Sequence, residues 1–114
     1  MNVGQLLVAF SYNSRYKVIG DSFSSHPSTK YKHSHGNALK YADYTVQKLD
    51  WHDDANNNPR INIYVSDTQD ASREQLTLDD FIQIGFPDSI SFDYDPDKKL
   101  IDEIKITNRE VAIY

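Results

Sequence analysis

Three aspartates, Asp93, Asp95 and Asp97, occupy alternate positions in the segment FDYDPDKKL and have the spacing of oxygen ligands for calcium. A calcium-binding loop of this kind also needs glycine at its sixth position and glutamate at its twelfth, where this chain has Lys98 and Ile104. The Asp-Pro pair in the segment instead suits the first two positions of a type I turn, and alternating strands flank it. The segment therefore predicts a β-hairpin without a calcium site.

Three histidines lie in a predicted loop over residues 21–36, which has no periodic pattern and contains a proline. His26, His33 and His35 together with a water could hold zinc. Their spacing is not that of a zinc motif, and no acidic residue stands beside them to orient the imidazoles. We therefore predict no metal site and no cofactor.

The same loop is basic and leads into the predicted amino end of a helix. Lysines and tyrosines are interleaved around it, as they are on surfaces where cations meet phosphates and rings stack on bases. The amides and dipole of a helix start also favour an anion, although a net charge of −5 opposes general nucleic-acid affinity. The residues of this alternative phosphate or nucleic-acid site are Lys30, Lys32, His33, His35 and Lys40.

A third pattern combines Pro87-Asp88 with Glu103-Ile104-Lys105 on the second strand of the predicted hairpin. It resembles the signature of the PD-(D/E)xK nucleases over about twenty residues. The resemblance implies that Asp88 and Glu103 bind magnesium and that Lys105 positions or activates the attacking water. Glu103 and Lys105 also suit the solvent face of an alternating strand, which is the alternative without catalysis.

Aspartate outnumbers glutamate fourteen to three, and most of the acidic residues lie in the second half of the chain. If their turns gather on one side of the domain, the carboxylates attract a basic, DNA-binding protein by electrostatic steering. The residues predicted to form this partner surface are Asp67, Asp70, Asp95 and Asp97.

The length and composition limit the class of protein. A chain of 114 residues with 39% hydrophobic residues suits one domain, residues 1–114, with a single core. The absence of cysteine excludes disulfides, zinc-thiolate sites and thiol catalysis. No run of about 20 apolar residues and no leader pattern is present, so we expect a soluble, cytoplasmic protein that contacts no membrane.

Periodicity predicts the elements of the first half. Residues 6–12 and 15–20 alternate and predict a hairpin, and residues 37–51 carry an apolar stripe at helical spacing. Residues 61–66 alternate again and predict a half-buried strand, followed by a loop over residues 67–75.

The second half is predicted to add a short helix and more strands. Thr77 is a good N-cap for a helix through Ile84, and Gly85 can end it. The hairpin around residues 90–106 follows, and residues 111–114 predict a last strand. The fold class is therefore α+β, with a mainly antiparallel sheet of five to six strands, one main helix on one face and a second short helix.

No catalytic set is convincing, so the preferred function is a non-enzymatic interaction module that binds a basic nucleic-acid-processing protein. An inhibitory or accessory protein of a phage or mobile element fits the small acidic format and the residue usage. The magnesium nuclease and the basic loop remain the alternatives.

Overall fold

Helices and strands are mixed along the chain. The computed structural model describes residues 1–12, 14–24, 28–29, 38–53 and 59–106. The elements within them are α1 (Val3–Ala9), β1 (Arg15–Ile19), β2 (Ser28–Thr29), α2 (Ala38–Tyr41), β3 (Tyr44–Asp53), β4 (Pro59–Gln69), α3 (Leu78–Ile84), β5 (Ile90–Asp95) and β6 (Leu100–Ile106).

The strands form two sheets. The larger has the order β2-β1-β4-β3, in which β1 and β4 are parallel and the other pairs are antiparallel. The smaller is the antiparallel hairpin of β5 and β6. The free edge of β6 is bordered by the chain after α1, where Ser11 N donates to Ile104 O at 2.9 Å, and by the chain before α3, where Ile101 N donates to Leu76 O at 2.8 Å.

One hydrophobic core joins the two sheets. Alternate residues of β1 and β4 point to the same face of the larger sheet, and α1, α3 and the inner face of the hairpin complete the cluster. Phe10 beyond α1 contacts Tyr16 of β1, with ring centroids 6.2 Å apart. The buried apolar residues are Val3, Leu6, Leu7, Ala9, Phe10, Tyr16, Val18, Val46, Leu49, Ile61, Ile63, Val65, Leu76, Phe81, Ile90, Ile101 and Ile104.

The strand predicted for residues 6–12 is wrong, because residues 6–9 belong to α1. Asn2 caps the helix by accepting a bond from Gln5 N, and the Gln5 side chain accepts one from Asn2 N, which is a capping box. Val3, Leu6 and Leu7 are buried at helical spacing, whereas Val8 is 65% exposed. The predicted hairpin with residues 15–20 is therefore absent, and β1 pairs with β2 and β4 instead.

The main helix predicted for residues 37–51 is also wrong. Of residues 38–51, which the structure describes, only the four residues of α2 are helical, and β3 follows, antiparallel to β4. The register of β3 shifts by one residue between Val46, which pairs with Val65, and Lys48, which pairs with Tyr64. This β-bulge brings Val46 and Leu49 to the same buried face although they are three residues apart. In this bulged strand the buried apolar residues are therefore three positions apart, which is the spacing expected of a helix.

The short helix and the hairpin predicted for the second half are confirmed. Thr77 Oγ1 accepts a bond from Asp80 N at 3.2 Å at the start of α3, and Gly85, with φ of 76°, follows its last residue. The hairpin of β5 and β6 is formed, and β4 contains the predicted strand but extends to Gln69, into the predicted loop.

The protein is a small domain of mixed α and β structure, as predicted. The strands that the structure describes form two sheets, however, and no helix among the described residues is longer than the seven residues of α1 and of α3. The last predicted strand, residues 111–114, and most of the predicted histidine-rich loop lie outside the described residues. In the part of the chain that the structure describes, no helix is long and apolar enough to cross a membrane.

Candidate functional site

Two of the predicted binding aspartates lie at the end of β4. Asp67 is exposed on the strand. Asp70 follows it, and its carboxylate accepts a bond from Ser72 N at 3.1 Å. The backbone of Asp70 donates to Asp43 O at 2.8 Å and accepts from Asn2 Nδ2 at 2.6 Å. Asp70 is thus part of the contact between the chain directly after β4 and the start of α1.

The other two lie at the tip of the smaller sheet. Asp95 Oδ1 accepts bonds from the backbone nitrogens of Asp97, at 2.8 Å, and Lys98, at 3.1 Å. Lys99 N donates to Asp95 O at 2.7 Å, and Lys99 has a positive φ of 57°. Asp95 therefore holds the turn, whereas Asp97 is exposed. One predicted pair of aspartates therefore lies at the end of a strand of the larger sheet, and the other lies at the tip of the smaller sheet.

We expect Asp95→Ala to lower the free energy of unfolding by about 1 kcal/mol, because two backbone amides lose their acceptor at a partly exposed site. Asp97→Ala is the matched control and should change stability by less than about 0.5 kcal/mol. Urea denaturation of both variants measures the difference. Equal effects would show that the Asp95 carboxylate does not stabilise the turn.

The nuclease-like residues are only partly brought together. Glu103 pairs with Asp93, three positions inside the hairpin from Ile90, which is about 10 Å along a strand. Asp88 lies beyond Ile90, in the turn that precedes β5. Asp88 and Glu103 therefore lie at different positions along the hairpin, and their predicted magnesium site stays a prediction. Lys105 Nζ lies 3.9 Å from Asp93 Oδ2.

Of the predicted basic loop, residues 21–36, the structure describes only residues 21–24 and 28–29. Lys30, Lys32, His33 and His35 lie outside the described residues, as does His26. Lys40 is exposed on α2, and its Nζ lies 5.3 Å from the centre of the Tyr41 ring. No group of three or more His, Asp or Glu residues within the described ranges could hold a metal ion.

A groove that sequence reasoning missed runs along α1. Two depressions of about 230 and 200 Å³ share Val8, Ala9 and Asp102 and form one concave surface. One wall is α1 with the residues that follow it, the other is the segment of residues 73–76, and residues 101–103 of β6 lie between them. We call this surface the α1 groove.

Two apolar side chains are exposed along the α1 groove. Val8 is 65% exposed on a helix that is otherwise mostly buried, and Tyr12 is 57% exposed just beyond the end of the helix. Large apolar side chains that line a concave surface are typical of binding sites, and tyrosine is enriched where proteins meet.

Carboxylates border the same groove. Glu74, Asp102 and Glu103 contribute three negative charges to its lining. The cation there, Arg73, makes a salt bridge to Asp43, which lies outside the lining. The α1 groove is therefore apolar along α1 and negatively charged at Glu74 and along residues 102 and 103 of β6.

Polar contacts fix the wall opposite α1. Asn2 Nδ2 donates to the backbone oxygens of Asp70 and Ser72, at 2.6 and 2.8 Å, and Gln5 Nε2 donates to Glu74 O at 3.0 Å. Gln75 Nε2 donates to Ile101 O at 2.9 Å and lies 3.4 Å from Asp102 Oδ1. These bonds hold both walls at a defined separation without a partner.

The sequence held one usable signal for this site. The spacing of Asn2 and Gln5 matches a capping box, and a helix beginning there leaves Val8 off the buried stripe. No protein-family model, curated protein or solved structure matches this chain. The geometry of the α1 groove is therefore the basis on which a function can be proposed.

Proposed function

We propose that this protein is a non-enzymatic interaction module that binds a partner protein through the α1 groove. The observation that carries the proposal is the exposure of Val8 and Tyr12 beside a row of carboxylates. Burial of an exposed valine under a partner lowers the free energy of the complex. Because the groove is already formed, binding costs little conformational entropy.

The charge of the groove indicates the partner's chemistry. A segment that inserts an apolar side chain between α1 and β6 and carries lysine or arginine on either side meets Glu74, Asp102 and Glu103. Proteins that process nucleic acids display such dense basic surfaces. The proposed role is therefore inhibitory or accessory, because a basic surface that is covered by this protein can no longer bind nucleic acid.

Charge reversal in the groove tests the proposal. We expect Asp102→Lys/Glu103→Lys to weaken capture of the partner from a lysate of the source organism at least about tenfold, equivalent to about 1.4 kcal/mol. We also expect Val8→Asp to weaken it, since a charge replaces the apolar contact. Carbodiimide coupling, which joins a carboxylate directly to a lysine in contact with it, should link the captured protein to Glu74, Asp102 or Glu103.

Asp97→Lys is the matched control, because it reverses an exposed charge at the tip of the hairpin, away from the α1 groove. Circular dichroism and thermal unfolding verify that each variant is folded. If Asp97→Lys abolishes capture while the groove variants retain it, the partner surface is the hairpin tip, as the sequence predicts. If no variant changes capture, both surfaces are excluded.

A further inference from the structure

A third depression, of about 360 Å³, lies beyond Tyr12 and has a different character from the α1 groove. Three parts of the chain form it: the turn between α1 and β1 together with the first residue of β1, the first residue of β4, and the end of β6. We call it the basic pocket. Its lining residues are Ser11, Tyr12, Ser14, Arg15, Pro59, Lys105 and Ile106.

The basic pocket combines two cations with three hydroxyl groups. Arg15 and Lys105 supply the charge, and no carboxylate is among the described residues that line the pocket. Asp93, on the neighbouring strand, lies 3.9 Å from Lys105 Nζ, which leaves further donors of that ammonium group for a ligand. Arginine presents a planar fork of donors that matches two oxygens of a phosphate.

The hydroxyl groups are positioned before any ligand binds. Ser11 Oγ and Ser14 Oγ lie 2.8 Å apart, so one donates to the other and the second hydroxyl proton is left to point elsewhere. Ser11 N donates to Ile104 O at 2.9 Å and Ser14 N donates to Ser11 O at 3.2 Å, which fixes the turn on β6. The pocket therefore offers oriented donors of both charged and neutral type.

We propose that the basic pocket binds a phosphate group, either free phosphate or a small phosphate monoester. The two cations and the serine hydroxyls match a doubly charged tetrahedral anion better than a carboxylate, which offers two oxygens and one charge. The volume exceeds that of phosphate alone, and Tyr12, Pro59 and Ile106 provide apolar surface for an organic group.

Calorimetry on the full chain at constant ionic strength tests this proposal, with inorganic phosphate, glycerol 3-phosphate and acetate as probes. We expect saturable binding of both phosphates with dissociation constants of about 1 mM, the monoester the tighter, and no saturation with acetate. Arg15→Gln and Lys105→Gln should each weaken phosphate binding about tenfold. Lys98→Gln, which removes an exposed charge at the hairpin tip, should leave it unchanged.

Several outcomes would overturn the proposal: no saturable heat with either phosphate, equal binding of acetate, or an equal loss in Lys98→Gln. If Arg15→Gln does not fold, Lys105→Gln and Ser14→Ala decide, since phosphate affinity unchanged in both excludes the pocket. Because the probes are small anions, the result is independent of whether a protein partner binds the α1 groove.

Discussion

Phe81→Ala is expected to lower the free energy of unfolding by about 4 kcal/mol, the largest effect of any substitution proposed for this chain. Phe81 is 0% exposed, and its ring stacks on Phe86 at 4.6 Å and meets Phe92 edge-on at 5.0 Å. Alanine leaves a cavity where α3 crosses the hairpin. The total free energy of unfolding of a domain of this size is about 5–15 kcal/mol, so the expected loss is a large fraction of the stability.

Ile82→Ala is the matched control for this prediction. Ile82 is the next residue of α3, but it is 53% exposed. Its truncation to alanine should therefore lower the free energy of unfolding by less than about 1 kcal/mol. Urea denaturation followed by the fluorescence of Trp51 measures both variants. If the two substitutions cost the same, Phe81 does not anchor α3 to the hairpin.

Asn2→Ala is expected to cost about 3 kcal/mol, although it removes a small polar side chain. Asn2 is 0% exposed, and its Oδ1 accepts a bond from Gln5 N at 2.8 Å at the start of α1. Its Nδ2 donates to Asp70 O and Ser72 O. Alanine leaves one amide and two partly buried carbonyl oxygens without these partners, which costs more than the helix cap alone.

Asn2→Asp separates the contribution of the helix cap from that of the two bonds to the segment after β4. Aspartate retains the acceptor for Gln5 N but cannot donate to Asp70 O and Ser72 O, and its charge faces those oxygens. We expect it to be destabilised by about 2 kcal/mol, which chemical denaturation resolves. Stability equal to that of the original chain would mean that the bonds to the segment after β4 contribute nothing. Gln5→Ala should cost only about 1 kcal/mol.

The Asn2 variants also bear on function. The two bonds of Asn2 hold the start of the segment that forms the wall opposite α1. Their loss should therefore weaken partner capture at temperatures where the variant is still folded. The basic pocket lies beyond the other end of α1 and should retain its phosphate affinity.

The sequence by itself determined the elements whose signals are local. Thr77 and Gly85 mark both ends of α3 because a hydroxyl cap and a positive φ each act within one turn of helix. The hairpin of β5 and β6 follows from alternation on both sides of an Asp-Pro turn, and Asp95 does bind the turn amides.

The candidate site could not be read in the same way. The α1 groove joins residues about 70 and 100 positions apart in the chain, and no local pattern links Val8 to Glu74 or Asp102. Val8 was predicted to lie in a strand, and its exposure depends on which face of α1 the core covers. The sequence predicted a partner surface at Asp67, Asp70, Asp95 and Asp97, and none of these four residues lines the α1 groove.

Only the tertiary structure decided the conformation of residues 3–9 and 44–53. Residues 6–12 fit a period of two, yet Val3, Leu6 and Leu7 fit a helix equally well, and the core selected the helix by burying these three. In β3 the pairing with β4 outweighed a helical pattern, since the bulge after Val46 lets side chains three residues apart face one core. Hydrophobic spacing is ambiguous over such short segments, so burial against distant strands determines which period is realised.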